Sequence, residues 1–482
     1  MGKITGFQRL LGHAGLFGGP LAAACWLAFG GGGMAHDAHV VLGLALWMAL
    51  WWMTEAVPLA ATALLPLVVL PLSTSIGFGA AATPYANGIV FLFMGGFMLG
   101  LALQRCGLHR RIALAMLVAV GAGPRRLVGG FMLVTALVSM WLSNTATMMM
   151  LAPIGVSVLQ TCREQRAGAD EEGTRAFGAA LMLGIAYAAS IGGMGTPIGT
   201  PPNLIMSGYL RTHYGIDLTM LAWMRVGVPV ILVLLPLAWL WLCFGAFRLS
   251  AAGFAAGEAE LRAQRALLGP ASAAERRTGA VFLLVALGWM LRPQLAARFG
   301  LAGLDDGVIA LIGALLLFVL PARGLDGERL LDWSTARGIP WDILLLFGGG
   351  LSLAAAVTAS GADAPIAQWA SGLDAVPVTL IVAVLALAIV FSGELTSNTA
   401  AATAMMPVLA GLASARGIEV LPLFMVATLA GSCGFMLPVA TPPNAIAYGT
   451  GWVSLPAMLR AGFGLNLIAV AVVVAVVWCV AF

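Results

Sequence analysis

Charge is what this chain lacks most. Lys, Arg, Asp and Glu make up only 9% of its 482 residues, and a single lysine, Lys3, stands beside 23 arginines. Soluble domains carry roughly a quarter of their residues charged, whereas here 61% are hydrophobic and the mean hydropathy is +0.99. That composition excludes a soluble globular fold and predicts an all-α polytopic membrane protein whose partner is the lipid bilayer. The net charge of +4 comes from arginines that lie mostly between apolar runs. It reports topology and gives no reason to expect nucleic acid.

Other absences narrow the function. The six cysteines (Cys25, Cys106, Cys162, Cys243, Cys433, Cys479) have no short spacing, so neither a metal clamp nor a redox pair is expected. The five histidines fall near the ends of apolar runs, which leaves no buried histidine relay. No His-Glu-x-x-His, no Gly-x-Ser-x-Gly and no facing aspartate pair occurs, and the longest polar loop, about 248–277, is too short to hydrolyse ATP. An enzyme is therefore not expected. The first apolar stretch, 14–30, contains Pro20 and no cleavage pattern, and reads as a membrane helix and not a removed signal.

What is present is a duplication. Ser143-Asn144-Thr145 recurs as Ser397-Asn398-Thr399, and Phe93-Met94-Gly95-Gly96 realigns on Phe347-Gly348-Gly349-Gly350, both 254 residues on. Thr200-Pro201-Pro202-Asn203 recurs 241 residues on as Thr441-Pro442-Pro443-Asn444, so the first copy is thirteen residues longer between its motifs. One ancestral unit has been doubled and its loops edited.

The apolar runs beside each Ser-Asn-Thr, 127–142 with 146–160 and 378–393 with 400–413, are shorter than the roughly 20 residues a span needs. Two short helices meeting at a polar tip predict a re-entrant hairpin. The other runs give about eleven transmembrane helices: 14–30, 39–53, 56–73, 88–105, 178–210, 223–246, 278–293, 305–320, 341–360, 419–450 and 458–481. An N-terminus in the cytoplasm puts nineteen basic residues inside and five (Arg211, Arg225, Arg292, Arg298, Arg416) outside, the positive-inside pattern. The protein is then expected in the cell (inner) membrane with its C-terminus outside. The copies face opposite ways, the inverted-repeat design that holds substrate near the midplane. The expected divisions are 1–87 as N-terminal scaffold helices and 88–246 as the first repeat, with hairpin 125–161 and broken helix 178–210. Residues 247–340 are a cytoplasmic loop and connecting helices, and 341–482 the second repeat, with hairpin 376–414 and broken helix 419–450.

Each motif has a bland rival. Ser-Asn-Thr alone caps a helix, and Thr-Pro-Pro-Asn alone makes a kink. Their repetition at matched offsets favours ligand duty. A broken helix offers carbonyls from one half, which suit a cation, and N–H groups from the other, which suit an anion. Glu394 and Glu55 are the carboxylates well inside apolar runs; each is either a proton-coupling group or one locked by hydrogen bonds. The run Met148–Met150 reads as packing, and the repeated glycines as close helix contacts.

The paired Ser-Asn-Thr tips, the paired Thr-Pro-Pro-Asn breaks and the Trp-Trp-Met-Thr-Glu-Ala-Val-Pro run at 51–58 resemble the divalent-anion/sodium symporters, over essentially the whole chain. The resemblance implies a homodimer whose scaffold carries an elevator-type transport domain. It implies a first sodium site from Ser139, Ser143, Asn144 and the backbone of Gly199, and a second from Thr396, Asn398 and the backbone of Ala440, with Gly393 contributing. Substrate carboxylates would meet Asn144, Thr145, Thr200 and Pro201 from one half and Asn398, Thr399, Thr441 and Pro442 from the other. Sodium would be co-transported with a small divalent anion, with no organic cofactor. C4-dicarboxylates such as succinate, malate or fumarate head the candidates; a sodium-independent dicarboxylate or oxoglutarate exchanger, or a sulfate or citrate transporter, is the alternative. A channel would need no paired, inverted half-sites. Gly393, where the first copy has Ser139, can offer only a carbonyl, so the second sodium site departs from the pattern.

Overall fold

In hydrocarbon every backbone N–H and C=O must be satisfied within the protein, and a helix does this segment by segment. The computed structural model describes residues 6–30, 33–120, 123–165, 171–249, 255–301, 303–323, 329–362, 377–394 and 398–481. Among them the chain is helical, with one isolated bridge between Pro321 and Arg329 and no strand. Seven described helices are long and apolar enough to cross a bilayer, and the pair Ala273–Met290 and Arg292–Phe299, bent by 77°, makes an eighth if taken as one.

At the first Ser-Asn-Thr two helices meet at a turn. Helix Pro124–Ser139 begins with Pro124, whose missing N–H costs nothing in the first turn, and the chain reverses through Met140–Ser143 into helix Asn144–Gln165. This return arm has 22 residues, longer than the expected 146–160, because helix continues through the polar Thr161–Gln165. The arm is long enough to cross a bilayer by itself. Both arms pack on helix Glu171–Gly193, whose stretch from Phe177 to Gly193 is buried throughout. Small residues permit that approach: a Cβ on Gly184 would meet Met132 at 3.1 Å, and one on Gly192 would collide with the Ala136 carbonyl. The second hairpin repeats the design with Val378–Gly393 and Asn398–Arg416.

The broken helices differ from expectation in where they break. Thr-Pro-Pro-Asn does not end a helix but begins one: Thr200 and Thr441 are N-caps in extended conformation, and the prolines occupy the first two helical positions of Pro201–Tyr214 and Pro442–Gly449. The breaks lie before them, at 194–200 and 432–441, where the first halves Glu171–Gly193 and Val420–Gly431 have ended. Proline's fixed φ suits a helix start as well as it spoils an interior.

Two further expectations need correction. The run 56–73 is two helices, Leu59–Thr62 and Leu65–Ser73, separated at Ala63–Leu64 with Pro66 starting the second. The polar loop 248–277 contains helix Ala255–Leu267, whose Glu260 accepts from Ser157 Oγ on the first hairpin at 2.7 Å. A second amphipathic helix, Leu108–Val120, packs against it. Arg111 from that helix reaches Glu275 at 2.6 Å and the carbonyls of Leu268, Gly269 and Pro270. The repeated glycines are contact points, as expected: a Cβ on Gly95 would lie 2.7 Å from Ala310 Cβ, and one on Gly349 would strike Ala63.

Candidate functional site

Asn203 and Asn444 hold the breaks open. Each sits in the first turn of its second half-helix and is fully buried. Asn203 Nδ2 donates to the carbonyls of Gly193 (3.0 Å) and Thr196 (2.8 Å); Asn444 Nδ2 donates to those of Gly434 and Leu437, both at 3.0 Å. The partners lie ten and seven residues back in both copies. Two carbonyls freed by the break thus gain donors, while both amide oxygens, Asn203 Oδ1 and Asn444 Oδ1, are buried with no hydrogen-bond donor.

The first hairpin tip meets the first break. Ser139 Oγ lies 2.7 Å from Asn144 Oδ1 and 2.7 Å from the Ala189 carbonyl, and Thr196 Oγ1 donates to the Met140 carbonyl. Gly193 makes room for the encounter, since a Cβ there would come within 2.6 Å of Asn144 Oδ1 and 3.2 Å of the Gly199 carbonyl. Ser139, Asn144 and the carbonyls of Gly193 and Gly199 therefore converge, a cluster of neutral oxygens suited to a small hard cation. Ser143 also caps its helix, accepting from the Ala146 N–H at 3.3 Å. Capping and the expected ligand duty fall on one residue.

The second break is held differently. Glu394 Oε1 and Oε2 accept from the N–H groups of Phe435, Met436 and Leu437 at 2.7–3.0 Å, and Asn466 Nδ2 donates to Oε1 at 2.7 Å. The carboxylate is buried at 3% exposure. Of the two roles expected for it, the locked one is what the contacts describe. Gly393 beside it is buried at the end of its helix. Thr396 lies outside the described residues; Asn398 opens the return arm, and its side chain is likewise outside them.

These elements surround a cavity of about 620 Å³. Of the residues expected from the sequence, Ser143, Asn144, Thr145, Gly199, Thr200, Pro201, Thr399, Ala440, Thr441 and Pro442 all line it. Ser139 stands behind Asn144. Three described helices begin at its wall, at Asn144, Pro201 and Pro442. Their dipoles favour an anion, but the paired prolines withhold two N–H groups from each broken helix. The donors for a carboxylate must come instead from the hairpin's first turn and from hydroxyls such as Thr145 and Thr200.

The remaining wall escaped the motifs. Ser190, 1% exposed with an unpartnered hydroxyl, lines the cavity from the first broken helix. Leu59, Phe97, Ile343 and Leu346 form an apolar side, interrupted by Glu55 and Asp342. Among the described residues no lysine, arginine or histidine lines this cavity. A larger groove of about 1240 Å³, between Arg163, Arg175 and Arg460, contains none of the motif residues and is lined by as many glutamates as arginines. The motif residues gather in the smaller cavity.

Comparison with known proteins agrees with this architecture. Residues 22–481 match the family model described as the sodium:sulfate symporter transmembrane region. The sodium-dependent dicarboxylate transporter SdcS of Staphylococcus aureus strain USA300 is 39% identical over 443 residues, 91% of this chain and 85% of the relative. SdcS of strain MSSA476 is 40% identical over the same length. In fold the chain is similar to the Alcanivorax borkumensis YdaH transporter (TM-score 0.57, 14% identity, 92% of this chain and 98% of that one). It is similar also to Neisseria gonorrhoeae MtrF, described as illuminating a class of antimetabolite efflux pumps (TM-score 0.57, 12% identity, 95% and 96% covered). The chain is a multi-pass membrane transporter and belongs to the sodium:sulfate symporter family.

Proposed function

We propose that the protein is a secondary active transporter that couples inward sodium movement to uptake of a C4-dicarboxylate such as succinate, malate or fumarate. The observation that carries this reading is the convergence of the hairpin tip and both helix breaks on one cavity rich in neutral oxygens and helix N-termini. SdcS, a sodium-dependent dicarboxylate transporter by name, supports it at 39% identity. In this reading Ser139, Ser143, Asn144 and the Gly199 carbonyl hold one sodium ion. Gly393, Thr396, Asn398 and the Ala440 carbonyl hold another, and the substrate carboxylates lie between, against Thr145, Thr200, Thr399 and Thr441. Sodium and anion bind cooperatively because each neutralises and orients the other's shell. The two copies are inverted repeats in about eleven spans, with the N-terminus in the cytoplasm. Two chains form a homodimer in the cell (inner) membrane, and the hairpins and broken helices move as an elevator against the scaffold. Gly393 favours one second reading, a sodium-independent dicarboxylate exchanger. Uptake of radiolabelled succinate into proteoliposomes decides between them. Saturable uptake driven by an inward sodium gradient supports symport; uptake unchanged in choline and stimulated by internal succinate defeats it.

A further inference from the structure

The substrate cavity of a dianion carrier would be expected to hold a positive charge, and this one holds the opposite. Among the described residues that line it, the only ionisable side chains of either sign are Glu55 and Asp342. No hydrogen bond or ion pair joins either carboxylate to a described residue, and both are exposed. They arrive from separate elements. Glu55 follows helix His36–Thr54, and Asp342 lies in the first turn of helix Trp341–Ser360. Both line the cavity together with apolar neighbours from their own stretches of chain, Leu59 and Leu346.

Glu55 is held there against its own backbone preference. Its φ of 47° and ψ of 36° put it in the left-handed region, where glycine is the residue without strain. Among the described residues only one other non-glycine, Arg248, has positive φ. A strained residue whose side chain opens into a site invites a functional reading.

We infer that Glu55 and Asp342 are specificity-determining residues that set a charge ceiling on the substrate, admitting dianions and rejecting a third negative charge. This rests on the dicarboxylate reading above. A C4-dicarboxylate turns both of its charges toward the sodium ions, the hydroxyls and the helix N-termini, and leaves only its short carbon chain near the acidic wall. A tricarboxylate of similar length has one more carboxylate to place in the same cavity, whose wall already carries Glu55 and Asp342. One added charge within a Debye length of two fixed carboxylates is disfavoured by about tenfold or more in affinity. The same compound with one carboxyl protonated escapes the penalty.

The test is displacement of labelled succinate from the purified full-length protein, in saturating sodium, by unlabelled succinate and by tricarballylate, its three-carboxyl relative. In the natural protein tricarballylate should compete at least about tenfold more weakly than succinate near pH 8, where both compounds are fully ionised. Asp342→Asn and Glu55→Gly should each close part of the gap at that pH, and together most of it. The glycine relieves the backbone strain as it removes the carboxylate, so loss of fold is not the expected result. Equal competition by the two compounds in the natural protein near pH 8 would overturn the ceiling, whatever the variants do. So would a gap that the double variant leaves intact. Absence of sodium-dependent succinate binding in the natural protein would instead overturn the dicarboxylate reading on which the ceiling rests.

Discussion

Phe93 packs against Phe347, its own counterpart 254 residues later, with ring centroids 4.4 Å apart and planes tilted by 49°. In the inverted-repeat reading proposed above, a contact between equivalent positions lies on the two-fold axis that relates the copies. Both rings are 1% exposed. Phe93→Ala should lower the stability of the protein by about 3 kcal/mol. The double variant with Phe347→Ala should lower it by less than the sum, the difference being about 1 kcal/mol for a direct aromatic pair. Chemical denaturation of the four proteins in one detergent supplies the comparison; strict additivity would deny the contact.

Asn203→Ala and Asn444→Ala each remove two donors from buried carbonyls. Each should destabilise the protein by about 2–3 kcal/mol and abolish sodium-driven uptake. The second break keeps its hydrogen bonds to Glu394, so Asn444→Ala should cost no more than Asn203→Ala. A variant that keeps full transport would show that the amide tie is dispensable.

Ser139→Ala withdraws the hydroxyl that stands between Asn144 Oδ1 and the Ala189 carbonyl. The sodium concentration giving half-maximal succinate uptake should rise by about tenfold, equivalent to about 1.4 kcal/mol. The succinate half-saturation at saturating sodium should move by no more than about a third of that factor. Gly193→Ala should be more severe, since its methyl group would meet Asn144 Oδ1 at 2.6 Å. Unaltered sodium titrations in both would remove this cluster from the cation path.

Glu394→Gln keeps shape but leaves one acceptor oxygen for three N–H groups, and turns an NH₂ toward donors. The thermal midpoint should fall well below that of Glu394→Asp, which keeps the charge. If Glu394 were instead a proton carrier, the glutamine variant would be stable and would lose only its pH response. Thermal unfolding followed from about pH 6 to pH 8 separates the two, a range in which an ordinary carboxylate stays ionised.

The motif-bearing parts were legible because polar triplets and paired prolines are costly in hydrocarbon and stand out against apolar runs. Ten of the expected site residues meet at one cavity for that reason. The break position was misread by a few residues, since Pro201 and Pro442 look the same in sequence whether they stop a helix or start one. Helix Ala255–Leu267 was missed because much of its surface is polar, and Leu108–Val120 because its apolar run from Ile112 to Val120 is too short to span a bilayer. Ser190 and Asp342 carried no local signal; they become site residues only through contacts between elements far apart in the chain.

Glu394 also has a place in time. All four of its hydrogen-bond donors, at Phe435, Met436, Leu437 and Asn466, are synthesised after it, the last within the C-terminal helix Leu455–Ala481. Until the segment Phe435–Leu437 has been made, the carboxylate has none of these partners, and a charge inside the bilayer is costly without them. A chain that stops between Leu437 and Asn466 leaves it one donor short.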